Sequence, residues 1–289
     1  MSKWVYLNNS FVEENNALLP FTDLGFQRGY AVFDFFRLIE NSPLHLDDHL
    51  DRFVHSAREM RLPIPTSKEK IKTVIAELIG RNNLPWSGIR IQLTGGPATE
   101  NPELLSPILI ISQHAFPTPT ETQLGKGIHL VTFSHQRQLP HVKTTDYLMS
   151  LWLQPYVKDK GADDLLYHTG GLITESPRSN FFIVTGEEAL ATPAEDILKG
   201  ITRKKVLGIA SKKLKVEERA ISLEEAFYAR EAFITSTTKQ ILPVTKLNGR
   251  PIGNGIPGPI TRELQEGLSA FCGFVAKSSQ SFAEGSAIK

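Results

Sequence analysis

Two stretches near the start of the chain carry helical periodicity. Between Leu46 and Met60, apolar residues fall at 46, 50, 53, 54, 57 and 60, the spacing of a helix with one buried face, and Asp47 is placed to cap it. From Ser67 to Asn82 the residues Ile71, Val74, Ile75, Leu78 and Ile79 make a second such stripe. Around them the pattern is that of strands. Trp4–Leu7 and Phe11-Val12 flank an asparagine pair and predict a tight hairpin, and the aromatic run Ala31–Ile39 predicts a buried strand. Gly88–Thr94 and Ile108–Gln113 complete the strands of a first α/β unit.

Past residue 115 the pattern changes. Phe116-Pro117-Thr118-Pro119-Thr120 is stiffened by two prolines and reads as a linker over 116–122 between a domain of residues 1–115 and a larger one of 123–276. In the latter, strands are expected at Ile128–Phe133, Leu165–His168, Phe181–Val184 and Ala232–Ser236. Helices are expected at Asp146–Lys158, Ile201–Lys213, Leu223–Tyr228 and Pro259–Phe271. The Ser-, Gly- and Ala-rich segment 277–289 is expected to be disordered. Two domains also follow from 289 residues, a length above that of most single cores.

Composition narrows the class of function. With 32 basic against 31 acidic residues the formal net charge is +1, which gives no electrostatic reason for a nucleic-acid or membrane partner. The single cysteine, Cys272, excludes an intrachain disulfide framework and a cysteine-rich metal site, and suits a cytoplasmic protein. The histidines show no ligand spacing, so no metal is expected. No apolar run approaches about 20 residues, and the start lacks the long apolar segment of a signal peptide.

One lysine stands out for chemistry. Lys143 lies in Gln138-Leu139-Pro140-His141-Val142-Lys143-Thr144-Thr145-Asp146-Tyr147, after an apolar strand and a proline and before a helical segment. An amine partly withdrawn from water loses some preference for its charged form, and a neutral amine can attack a carbonyl. Downstream come Gly170-Gly171-Leu172-Ile173-Thr174-Glu175-Ser176-Pro177-Arg178-Ser179-Asn180, then Leu198-Lys199-Gly200-Ile201-Thr202-Arg203, then Ser236-Thr237-Thr238, with His49-Leu50-Asp51-Arg52-Phe53 upstream.

In this order the segments resemble the fold-type IV, or class IV, pyridoxal-phosphate aminotransferases, a family that includes branched-chain aminotransferases, D-amino acid aminotransferases and aminodeoxychorismate lyases. The resemblance implies a two-domain α/β fold, a homodimer, pyridoxal 5′-phosphate as cofactor, and amino acid and 2-oxo acid substrates. It assigns Lys143 as the catalytic amine, Glu175 as partner of the cofactor's ring nitrogen, and Arg52, Ile201, Thr202 and Thr237 as phosphate contacts. Asn180 accompanies Glu175, and Tyr147 is placed for the cofactor's 3′ oxygen. Thr237 and Thr238 are implied contacts of the substrate carboxylate.

Substrate choice reads less directly. The D-amino acid enzymes trap the carboxylate with a tyrosine near position 33 and an Arg-x-His pair after the Gly88–Thr94 strand, where this chain has Phe33, Gly95 and Pro97. Branched-chain enzymes carry Phe-Glu-Gly-x-Arg in the first strand, and this chain has Phe33-Asp34-Phe35-Phe36-Arg37 together with Arg90. Phe35 stands in place of the glycine and Gly88 in place of a tyrosine. The expectation is an aminotransferase for leucine-like or aromatic L-amino acids, with Phe33, Phe35, Phe36, Arg37 and Arg90 around the substrate. The alternatives are a lyase that releases pyruvate from aminodeoxychorismate, and a non-catalytic pyridoxal-phosphate carrier.

Overall fold

The computed structural model describes residues 3–98 and 105–271, so the segment 277–289 expected to be disordered lies outside the described residues. The chain begins with the hairpin β1 (Trp4–Leu7) and β2 (Ser10–Glu13), followed by the short helix α1 (Leu24–Arg28). The aromatic strand β3 (Ala31–Ile39) and its short partner β4 (Ser42–Pro43) precede the helices α2 (Leu46–Glu59) and α3 (Lys68–Asn82). Strands β5 (Gly88–Thr94) and β6 (Ile108–His114) close a six-stranded sheet of order β2-β1-β6-β5-β3-β4.

Both helices form for the reason their periodicity gives. On α3 the whole stripe Ile71, Val74, Ile75, Leu78 and Ile79 is buried, and each such side chain contributes about 1.5–3 kcal/mol when fully removed from water. Ser67 caps this helix by accepting from the N–H of Lys70. The cap expected of Asp47 on α2 is not made. His45 occupies that position in a left-handed conformation, and Asp47 sits in the first turn, where it pairs with Lys68 and Lys72 of α3.

The second sheet is built after residue 120. Helix α4 (Glu121–Lys126) leads into β7 (Ile128–Ser134). The expected helix over Asp146–Lys158 is two pieces, α5 (Leu148–Trp152) and α6 (Gln154–Asp159), because Pro155 can begin a helix but cannot sit inside one. Strands β8 (Asp164–Thr169), β9 (Leu172–Ile173), β10 (Glu175–Ser176), β11 (Ser179–Val184) and β12 (Leu190–Thr192) follow. Next come α7 (Ile201–Ala210), which stops three residues before the expected Lys213, β13 (Val216–Glu218) and α8 (Leu223–Phe227). The described chain ends with β14 (Glu231–Ser236), β15 (Gln240–Leu247), β16 (Arg250–Pro251) and α9 (Pro259–Phe271). The main path of this sheet is β13-β12-β11-β14-β15-β7-β8-β9.

Strand alternation decides which β3 residues face the core. Asp34 and Phe36 point to the α2 side, where Phe36 joins the core beside Phe53 and Leu50 and its ring lies 5.6 Å from that of His49. Phe36 therefore lines no substrate pocket, contrary to the expectation. Phe33, Phe35 and Arg37 take the other face.

Candidate active site

A cavity is lined by Arg52, Arg137, Lys143, Tyr147, Glu175, Asn180, Ile201, Thr202 and Thr237, joined by Pro177, Arg178, Ser179, Leu198, Gly200, Thr235 and Ser236. Every residue to which the sequence assigned a cofactor contact is in that lining. Thr238 is not, although it follows Thr237 in the same turn between β14 and β15.

Lys143 is not at a simple strand-to-helix corner. It lies on the segment between β7 and α5, and its backbone is tied to the first sheet. Its carbonyl accepts from the N–H of Phe33 at 3.0 Å, Thr144 bridges Val32, and its own N–H donates to Ser56 Oγ of α2 at 3.2 Å. The amine lies 4.5 Å from the centroid of the Phe33 ring. Arg90 Cζ is 3.9 Å from the same centroid, so two cations share one aromatic ring. Burial pulls the pKa of Arg90 down, yet a guanidinium stays charged at neutral pH. Its Nε donates to Gln92, which leaves most of the fork for a ligand.

Glu175 is buried and accepts from Arg137 Nε at 2.7 Å and from the N–H of Leu198 at 3.0 Å. Burial pushes its carboxyl up, while the Arg137 charge and the Leu198 N–H pull it back, and the balance remains above the ordinary value. Arg137, which the sequence reading missed, also donates to the carbonyl of Pro140 and so braces the Lys143 segment against β10. Its only signal was a lone cation in an otherwise uncharged run before Lys143. Arg178, quoted within the Glu175 motif but given no role, lines the same cavity with its guanidinium 5.9 Å from the Tyr147 ring centroid.

The N-terminus of α7 supplies another wall. Gly200 precedes its first turn, and no side chain caps it, so the free N–H groups of that turn face the cavity at the positive end of the helix dipole. Glycine is required here by close approach, because a Cβ on Gly200 would lie 2.3 Å from Asn180 Oδ1. That oxygen accepts from the Gly200 N–H, and Asn180 Nδ2 donates to the Leu198 carbonyl.

Arg52 comes from α2. Its Nε and NH2 donate to buried Asp34 at 2.7 and 2.8 Å, and His49 Nδ1 donates to the same carboxylate at 2.7 Å. Burial alone would push Asp34 up, but the Arg52 charge and the bonds from His49 and Arg52 hold it far below the usual carboxylate range. His49 is shifted down by its own burial and is neutral at neutral pH.

Phe33 and Arg90, beside the Lys143 amine, are not in that lining either, and two further expected substrate residues stand elsewhere. The ring of Phe35 occupies the space over Gly88 and packs edge-on against Phe116 at 5.5 Å, and it is absent from the cavity wall. Arg37 lies over the Phe116 ring at 5.3 Å and borders a neighbouring cavity with His45, His49 and Lys205.

Two buried hydroxyls, those of Ser179 and Thr235, have no hydrogen-bond partner among the described residues, and both line the cavity. Unpaired buried hydroxyls are costly, so the wall is built to meet a polar ligand. The set as a whole comprises one amine, one buried carboxylate, an arginine fork and a helix N-terminus. Residues 31–247 match the model of the family described as amino-transferase class IV. The chain belongs to that family. A D-alanine aminotransferase of Listeria monocytogenes serotype 4b is 31% identical over 274 residues, spanning 91% of this chain and 93% of the relative. A D-alanine aminotransferase of Bacillus licheniformis is 30% identical over 271 residues, spanning 91% and 95%. Among solved structures, a T.th. branched-chain amino acid aminotransferase with pyridoxamine 5′-phosphate superposes with a TM-score of 0.86 at 25% identity, covering 95% of each chain. The molecule is a class IV aminotransferase of the two-domain α/β fold-type IV architecture.

Proposed function

We propose that this aminotransferase uses pyridoxal 5′-phosphate to move an amino group between a small or apolar D-amino acid and a 2-oxo acid. The observation that carries the chemistry is the cavity that gathers Lys143, Glu175, Arg52 and the α7 N-terminus around two unpaired hydroxyls. These residues fit the cofactor. Arg52, the N–H groups of Ile201 and Thr202, and the Thr237 hydroxyl would hold its phosphate, and Glu175 would face its ring nitrogen. Bound there, the cofactor supplies a carbonyl for the donor amine and an electron sink for the charge left at the α-carbon. Lys143 removes and returns the proton at that carbon. Arg137 and the Leu198 N–H favour the ionised form of Glu175 against its burial, and that carboxylate would keep a proton on the ring nitrogen it would face. Arg90 binds the donor carboxylate beside Lys143, and the Phe33 ring offers the side chain an apolar wall.

The hand of the donor has separate support. The pattern that favoured L-branched-chain donors used two arginines and an aromatic cluster, and none of Phe33, Phe35, Phe36, Arg37 and Arg90 is in the cavity lining, with only Phe33 and Arg90 standing beside the Lys143 amine. The D-alanine aminotransferases matched at 30–31% identity over nine-tenths of the chain then carry more weight, and since Phe33, Gly95 and Pro97 do not supply the carboxylate trap of the D-amino acid enzymes, that contact would fall to Arg90. A second reading, leucine-like or aromatic L-amino acids, is favoured by the fold of the branched-chain neighbour.

A homodimer belongs to the same proposal. Leu18, Phe21 and Phe26 in the first unit and Leu148, Leu151 and Trp152 on α5 are exposed, and a second copy of the chain would cover them.

The test offers purified protein the D and L forms of alanine, leucine and phenylalanine with 2-oxoglutarate, and aminodeoxychorismate in parallel. Faster turnover of the D forms is expected. Preference for L-leucine would move the assignment to the second reading, and pyruvate from aminodeoxychorismate without keto-acid formation elsewhere would make the protein a lyase. Borohydride fixation of the cofactor followed by peptide mapping is expected to label Lys143, and a label on any other lysine would overturn the site.

A further inference from the structure

We infer that Asp34 is a positioning residue for phosphate recognition: it aims the Arg52 fork into the cavity. Asp34 is fully enclosed and accepts four hydrogen bonds, from the N–H of Phe35, from His49 Nδ1, and from Nε and NH2 of Arg52. A guanidinium has five N–H donors in a rigid plane, so fixing Nε and one side of NH2 against a carboxylate sets the direction of the remaining edge. That remaining edge belongs to a residue of the cavity wall that Thr202 and Thr237 also line. The Arg52 side chain is only 11% exposed, too little for water to orient it in place of Asp34.

His49 contributes by shape. With its ring neutral and Nδ1 donating, it bonds Oδ1, the oxygen that also accepts from Arg52 Nη2, without adding a second positive charge. The motif therefore supplies one anion and one cation, which cancel, and the gain for a phosphate comes from direction. This separates the proposal from a simple charge argument. Removing the Asp34 charge makes the cavity more positive, so Coulomb attraction alone would tighten phosphate binding. Loss of aim predicts the reverse. In Asp34→Asn the amide places a donor where Arg52 Nε–H now finds an acceptor, and the fork must turn away.

This inference rests on the cofactor reading above. The test uses the full chain stripped of cofactor and measures equilibrium binding of pyridoxal 5′-phosphate and of pyridoxal, which lacks the phosphate. For Asp34→Asn, affinity for pyridoxal 5′-phosphate is expected to fall by about ten- to a hundredfold, the range for a charge-assisted hydrogen bond, with pyridoxal changed less than about twofold. Asp34→Glu keeps a carboxylate and is expected to recover most of the phosphate preference. Should Asp34→Asn fail to fold, Arg52→Gln and the neutral pair Asp34→Asn with Arg52→Gln remain comparable, and both are expected to show the same phosphate-selective loss. Tighter or unchanged pyridoxal 5′-phosphate binding in Asp34→Asn, equal losses for both probes, or a further loss when Asp34→Asn is added to Arg52→Gln would each overturn the role of Asp34. If Arg52→Gln itself loses nothing for the phosphorylated probe, the cofactor placement fails instead.

Discussion

Gly88 and Phe35 exchange volume across the first sheet, and this can be tested without substrate. An alanine Cβ at position 88 would lie 2.0 Å from Cζ of Phe35 and 2.5 Å from Cε2, well inside contact distance. Gly88 has no left-handed backbone requirement, so the clash is the only structural objection to a side chain there. In Gly88→Ala the Phe35 ring must swing off the strand and give up its edge-on contact with Phe116. Overpacking of this kind costs about 1–3 kcal/mol, and alanine returns about 0.5–1 kcal/mol by restricting the unfolded chain in a strand position. The net loss is therefore up to about 2.5 kcal/mol, or a fall in Tm of up to roughly 10 °C at about 2–4 °C per kcal/mol. Phe35→Ala should open the space, so that adding Gly88→Ala to it is neutral or stabilising by up to about 1 kcal/mol. Thermal and denaturant unfolding of the four proteins closes the cycle. If the two substitutions simply add, the ring is not where the clash places it, and the volume exchange is wrong.

Three further outcomes follow from the site and the seam beside it. Arg137→Gln removes the cation nearest Glu175, whose carboxyl then rises further, so the acid limb of the pH–rate profile is expected to move to higher pH; a limb that stays in place would dissociate Arg137 from the chemistry. Gly200→Ala pushes Asn180 from both of its bonds at the start of α7 and is expected to weaken pyridoxal 5′-phosphate binding by about tenfold or more, read by cofactor titration. Asp48 of α2 pairs with Lys204 and Lys205 of α7, hydrogen bonds that lower its carboxyl to about 2. A depressed carboxylate stabilises the fold above its unfolded pKa of about 3.9 and loses that contribution as pH falls toward about 2. Asp48→Asn should flatten the acid limb of stability in that window by at most about 1 kcal/mol after solvent screening, measured by urea unfolding from pH 5 to pH 2.

The sequence was most legible where one element answers to one rule. The stripe on α3 has five buried residues on one face of one sheet, so periodicity alone locates it. The cavity wall was legible because its residues come in short runs at strand and helix ends, where a motif and the lining coincide. Pairings made by packing were not legible. Arg137 meets Glu175 across 38 residues and Lys143 meets Ser56 across 87, and no local pattern encodes either distance. The same limit explains Phe35 and Arg37. Strand alternation put them on the Phe33 face, but only the position of Phe116, on the segment between the sheets, shows that they turn toward it and not toward Lys143.

Lys143 thus belongs to both halves of the molecule. Its backbone is held by β3 and α2 through Phe33, Thr144 and Ser56, while its amine reaches a cavity whose carboxylate, hydroxyls and helix terminus come from the second sheet and α7. Arg52 follows the same plan from one turn earlier on α2, four residues before Ser56. A shift of α2 against α7 would therefore move the amine and the arginine fork together relative to Glu175. Proton transfer demands reacting atoms within hydrogen-bond reach, and a misplacement of about 1 Å can cost a hundredfold in rate. The Asp48 pairs with Lys204 and Lys205 join those two helices next to the first turn of α7, which is where such a shift would have to begin. Loss of that joint should consequently slow turnover more than it lowers stability, since the fold is carried by the hydrophobic clusters on either side of it and the chemistry by the seam between them.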